Sequence, residues 1–215
     1  MKALAIALMG AFVLAGCGSV HYPSTYVLHL PPPVAQIAPS VGALGSVAIR
    51  EFQCPEYLCE GRIVYRSGPE EVGFYEYHRW AMNPRQAITD YVVEVLRTQS
   101  LFKSVTAYDR ASDVAYVVSG KLDRLEEVDE GRDVRVVCAI SAQLLDMRTK
   151  SVVWSDSASE TTQVEKRDMR GVVGSLSSAA RTAADRLLKS MTVELSATIA
   201  QTAHPPETSA LTPSR

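Results

Sequence analysis

The sequence predicts a single α/β domain with a largely antiparallel or mixed sheet covered by two principal helices. Three observations carry this prediction. Between Arg132 and Asp146, Val134, Val136, Cys138, Ile140, Ala142 and Leu144 alternate at strict period two, the pattern of a strand with one buried face. Asn83-Pro84 opens a run whose Ile88, Tyr91 or Val92, Val95 and Leu96 share one helical face. From Asp168 to Gln201, Val172, Leu176, Ala180, Ala183, Leu187, Met191, Leu195 and Ile199 recur every three to four residues, which is helical spacing. Strands and amphipathic helices in one chain bury their apolar sides against each other, so a layered domain follows.

The elements read in order as follows. TYVLHL, from Thr25 to Leu30, alternates enough for a short strand. Leu44 to Phe52 is a strand with Val47 and Ile49 on one side. Gly61 to Ser67 and Glu71 to His78 form a hairpin about the Ser-Gly-Pro turn at residues 67–69. In the second of these strands Val72, Phe74 and Glu76 face one way and Gly73, Tyr75 and Tyr77 the other. Asn83 caps the first long helix, PRQAITDYVVEVLRTQ from Pro84 to Gln99, and Ser100 follows it. Pro84 suits its first position, where a missing N–H costs nothing. LFKSVTAYD returns the chain to a strand. Val114 to Glu127, Arg132 to Asp146 and Ser151 to Gln163 make a three-stranded meander, with Gly131 easing the first turn and Met147 to Lys150 forming the second. Leu144 is expected near Val153, with Trp154 anchoring the last strand. The last helix starts in a Gly- and Ser-rich stretch that is expected to fray. No repeat of solenoid spacing is present.

The ends of the chain describe its address. MKALAIALMGAFVLAGC has one basic residue, Lys2, then an apolar run from Ala3 to Val13. That run is shorter than the roughly 20 residues that span a bilayer and fits an export signal. Leu14-Ala15-Gly16-Cys17 resembles the bacterial lipobox, which implies cleavage before Cys17 and acyl chains, palmitate among them, on that residue. Such chains anchor a protein stably, since each buried methylene contributes about 0.8 kcal/mol. Gly18 and Ser19 follow where an aspartate would retain an enteric lipoprotein at the inner membrane, so the periplasmic face of the outer membrane is expected. Residues 1–16 are then a signal peptide, 17–43 a lipidated tether holding Pro31-Pro32-Pro33 and Pro39, 44–202 the folded domain and 203–215 a disordered tail. Without Lys2 the chain has 21 basic and 24 acidic side chains, a balance that does not suit nucleic acid.

No catalytic set, cofactor loop or metal site is predicted. Phosphate-binding glycine loops and the nucleophile elbow are both missing. Of the four histidines, His21 and His29 lie in the tether and His204 in the tail, which leaves His78 in the domain. It sits in FYEYHRWAMNP among aromatics, beside Arg79 and Trp80. The carboxylates of LDRLEEVDE, from Leu122 to Glu130, read as a solvated hairpin edge. Cys54 and Cys59 read as a disulfide in an oxidising compartment; two free thiols, or a zinc site shared with His78, are the competing readings. Cys138 falls on an apolar strand face and reads as a buried thiol.

Several of these segments, in this order, resemble the ABC-type transport auxiliary lipoproteins. They are the lipobox, Tyr26-Val27-Leu28, PEYLCEGRIVYR from Pro55 to Arg66, and YHRWAMNP from Tyr77 to Pro84. The family tends to read P-x-Y-L-D-x-x-x-I-V and R-W-A-x-x-P at the last two. Here Cys59 replaces the usual acidic residue and Cys54 precedes the proline, a departure that admits the disulfide. The resemblance implies a non-enzymatic outer-membrane component of an ABC system. Its implied partner is a periplasmic protein of the mammalian-cell-entry type, and its implied cargo phospholipid or another hydrophobic molecule. Arg79 and Trp80 are then either the strand-to-helix junction or a partner-docking point. Some relatives form rings, which leaves a homo-oligomer open. The alternative is an envelope assembly or secretion lipoprotein, because the meander and its Trp-Ser end are similar to domains of that kind.

Overall fold

A computed structural model describes residues 22–32, 44–110, 113–131 and 133–203. The signal peptide, Cys17, His21, most of the proline-rich stretch and the tail lie outside the described residues.

Eight strands form one sheet organised about β6 (Tyr116–Asp129). On one side β6 pairs antiparallel along its length with β7 (Val134–Asp146), which pairs with β8 (Ser151–Gln163). This is the predicted meander. Leu144 lies opposite Trp154 and Leu145 opposite Val152, so the expected neighbour Val153 falls in the register shift between them.

On its other side β6 holds two short strands end to end, both parallel to it. β2 (Leu44–Ile49) pairs with Tyr116 to Val118, and β3 (Arg62–Arg66) with Glu126 to Val128. β5 (Phe102–Ala107) flanks β2 in parallel. β4 (Gly73–Trp80) flanks β3 antiparallel, and β1 (Ser24–Tyr26) closes that edge parallel to β4. Four of the seven pairings are parallel, so the sheet is mixed. The gap between β2 and β3 is bridged by residues 50–53. Arg50 N donates to Val118 O, Gln53 N to Gly120 O, and Leu122 N returns to Gln53 O. Phe52 lies flat over Gly120, where a Cβ would come within 2.3 Å of its ring, so only glycine admits that contact.

Among the described residues three helices complete the fold. The four-residue α1 (Glu56–Cys59) was not foreseen; it turns the chain between residues 53 and 62. α2 (Pro84–Gln99) keeps its predicted limits. Asn83 Oδ1 accepts from Arg85 N at 3.1 Å, and Ser100 ends the helix in the left-handed conformation, φ 52°. α3 (Met169–Ala203) is helical through the Gly- and Ser-rich stretch. Asp168 Oδ1 accepts from Gly171 N at 2.7 Å, and Val172, Val173, Leu176, Ala179 and Ala180 are buried behind it. α2 packs on β2 and β5, and α3 on β7 and β8. The helices meet where Tyr91 donates to Asp185 at 2.5 Å and Thr192 to Gln99 at 3.1 Å. Burial there pushes the Tyr91 phenol up to about 12, with Asp185 adding to it. The period-two residues of β7 face these helices and are nearly solvent-free. On the opposite face Gln143, Ser155, Ser157 and Ser159 are open to water.

The segment assigned to the tether changes role. Tyr26 joins the sheet, Leu28 is buried, and His29 N donates to Ser177 Oγ at 3.1 Å. Residues 24–30 therefore belong to the fold. Among the described residues no helix is long and apolar enough to cross a membrane.

Candidate functional site

The stretch FYEYHRWAMNP ends β4 and opens α2. Trp80 is buried in the core, 7% exposed, and its N–H donates to Gly61 O at 2.8 Å. Ala81 N donates to Tyr26 O at 2.7 Å, tying in β1. Asn83 Nδ2 donates to Cys59 O at 3.0 Å, tying in α1. Four elements thus converge on five residues, 79–83. Trp80 is the apolar post of this junction, whereas Arg79, opposite Thr25 and Arg62 in register, is exposed.

His78 sits among rings. Its centroid is 5.6 Å from Tyr26 and 5.8 Å from Tyr75, and its Nδ1 is 3.2 Å from the Tyr26 hydroxyl. Tyr75 and His78 meet although period two would separate them. The β3–β4 register shifts between Arg62 and Val64, which breaks the alternation expected of β4.

The structure joins Cys54 to Cys59, their Cα atoms 6.1 Å apart, which leaves no thiolate at this place for a metal. Among the described residues no group of three or more His, Cys, Asp or Glu side chains is arranged to hold a metal ion. Cys138 is a free, fully buried thiol pushed up to about 12 by burial, far from a reactive thiolate.

The expected solvated edge at Leu122 to Glu130 is corrected. Glu126 and Glu127 are buried, 0% and 5% exposed. Past the register shift between Leu122 and Arg124 the strand is regular, so the consecutive glutamates alternate to opposite faces of the sheet, and β3 pairs alongside them. Glu126 Oε1 accepts from Arg66 Nε at 2.9 Å, Arg124 Nε at 2.7 Å and Arg124 Nη2 at 2.6 Å. Its Oε2 has no hydrogen-bond partner among the described residues. On the other face Glu127 Oε2 accepts from the Tyr75 hydroxyl at 2.7 Å. Burial, and then Asp129, push the Glu127 carboxyl above the usual carboxylate range, against the pull of the Tyr75 bond. Arg62 stacks over the Phe74 ring at 3.9 Å and pairs with Glu60. These groups bind one another and present no nucleophile with an adjacent base, so their chemistry is that of a polar brace between β3, β4 and β6. The signal that could have found them is the arginine at each end of the glutamate run's neighbourhood, Arg66 on β3 and Arg124 two residues ahead of Glu126.

The chain matches the family described as ABC-type transport auxiliary lipoprotein component over residues 26–187. It belongs to that family. The match begins inside β1, in accord with residues 24–30 being part of the domain. A solved Xanthomonas campestris protein of the family DUF330 superposes on this auxiliary lipoprotein with TM-score 0.66 and 17% identity, over 81% of this chain and 99% of that one. A second solved structure, of an uncharacterized protein, gives TM-score 0.58 and 15% identity over 78% and 98%. A lipoprotein of Neisseria meningitidis gives TM-score 0.40 and 13% identity over 64% and 96%. At these identities the first two likenesses show the fold alone, and the third is too remote to bear on function. No curated protein matches the chain.

One cleft borders the junction. About 550 Å³ in volume, it lies between residues 25–31 and the first three turns of α3. Val27, His29 and Pro31 form one wall and Val173, Gly174, Ser177 and Ser178 the other, with Arg170 and Arg181 at its ends. No Cβ neighbour stands within 4 Å of Gly174, which leaves the middle of the cleft open.

Proposed function

We propose that this auxiliary lipoprotein is a non-enzymatic part of an ABC system that moves phospholipid or other hydrophobic molecules across the periplasm. In this reading Cys17 is acylated and holds the domain at the periplasmic face of the outer membrane. The domain docks a periplasmic protein of the mammalian-cell-entry type, with Arg79 as the exposed member of the Arg79–Trp80 pair available for contact. The observation that carries the reading is the family match across residues 26–187, directly behind the lipobox-like Leu14 to Cys17.

The test is crosslinking in cells followed by pull-down and mass spectrometry. Recovery of a mammalian-cell-entry protein with its permease or ATPase is the expected result, and crosslinks between copies would report a homo-oligomer. Recovery of secretion or assembly proteins alone would overturn the reading. Cys17→Ala is expected to shift the protein from the membrane to the soluble periplasmic fraction.

A further inference from the structure

We infer that the edge made by residues 22–31 and the N-terminal turns of α3 is the surface that rests on the membrane, with its cleft facing anionic phospholipid headgroups. The inference rests on acylation of Cys17, as proposed above. Four residues, and so five residue-to-residue steps, separate Cys17 from Tyr22, where the described fold begins. Fully extended, they reach about 17 Å at roughly 3.4 Å per residue. α3, with 35 residues, is about 52 Å long at 1.5 Å per residue, so the anchor cannot let the far end of the domain meet the bilayer while this end stands away from it. The proline-rich residues that were to supply reach come after β1 and connect it to β2, so they add nothing to the distance from the anchor.

The chemistry of the edge fits the place. Tyr22 and Val27 are 82% and 57% exposed and lie on the anchored segment itself. An aromatic and an aliphatic side chain next to water suit the headgroup boundary, where amphipathic rings are favoured. Arg170 and Arg181 flank the cleft eleven residues apart, close to three full turns, so they lie along one side of α3. Arg181 keeps part of its charge engaged with Asp185, 3.7 Å away; Arg170 is exposed. Guanidinium groups near a bilayer are drawn to anionic lipid. Val193, 61% exposed near the other end of α3, is then held away from the membrane in water.

The experiment uses the full-length acylated protein in vesicles of phosphatidylethanolamine and phosphatidylglycerol. Three variants, Val27→Cys, Arg170→Cys and Val193→Cys, carry a fluorophore on the new thiol. Labels at 27 and 170 are expected to lose emission to a quencher borne on the lipid chains and to resist aqueous iodide, and the label at 193 to do the reverse. Equal iodide quenching at all three positions, in protein whose Cys17 peptide carries the acyl mass, overturns the orientation and leaves the anchor intact. Absence of that acyl mass overturns both.

Discussion

Two glutamates side by side on β6 behave differently because one has cations and the other a phenol. Glu126 has no exposure and two arginines; Arg66 and Arg124 are themselves 20% and 44% exposed at the side chain. Either arginine alone can compensate the carboxylate, and each can turn to water when released. Arg66→Ala and Arg124→Ala are each expected to cost about 1 kcal/mol, whereas the double variant leaves a buried, unpaired carboxylate and is expected to cost about 3–5 kcal/mol. A double-mutant cycle in urea measures the non-additivity. Glu127, held by the phenol, makes stability depend on pH. Its folded-state value lies above that of the unfolded chain, so the folded state binds more protons in the window between them. Stability is therefore lost as pH rises from the ordinary carboxylate value of 4.5 through the raised one. Glu127→Gln keeps an acceptor for Tyr75 and removes the titration. It is expected to flatten this part of the pH–stability profile, with its gain over the native chain larger at neutral pH than in acid. A profile that stays parallel to the native one would refute this. Little of this brace was legible in the sequence beyond Arg124 standing two residues ahead of Glu126. Charged residues in a hairpin normally face water, and only Arg66 and Arg124 beside Glu126 and the Tyr75 hydroxyl beside Glu127 make their burial tolerable.

Elements whose limits are set by neighbours in sequence were readable. Asn83, Pro84 and Ser100 bound α2 at the predicted residues, because capping is local chemistry. β7 kept its period, and the turn at Met147 to Lys150 set where β7 ends and β8 begins, again from neighbours in sequence. Asn83 has a second task that sequence cannot show, since its Nδ2 reaches back to Cys59 O on α1. Asn83→Ala therefore removes a cap and a tertiary bond together. It is expected to cost about 1–2 kcal/mol, with Asn83→Asp recovering the cap but not the bond to Cys59. Chemical denaturation of the two variants separates the contributions. Pairing direction was harder to read. β2, β3 and β5 find parallel partners far along the chain, and nothing within a strand records which way its neighbour runs. The Arg79–Trp80 pair was readable as a motif; that Trp80 faces inward and Arg79 outward emerged only from the pairing of β4 with β1 and β3.

At the scale of the molecule, a single core joins the two branches of the sheet. Trp80 belongs to the β3–β4 branch and Trp154 to the β7–β8 side, yet both pack into the same buried cluster. The domain is expected to unfold in one step, so fluorescence from Trp80→Phe and Trp154→Phe variants should give equal slopes against denaturant. After allowance for the stability each substitution removes, the transitions should coincide; a separate early transition on either side would show that the branches are independent. The division into domain and tether was half legible, because prolines mark irregular chain without saying which side of them is anchored. The placement of β6 also has a temporal consequence. A chain made from its N-terminus completes β1 to β5 before the strand that β2 and β3 must bond has been synthesised. The sections from β6 onward close among themselves through adjacent hairpins, which is quick, whereas the earlier strands must wait with their edges uncovered. Nascent β2 and β3 are thus the parts of this protein most in need of a chaperone, and it is the arrival of residues 116–128 that relieves them.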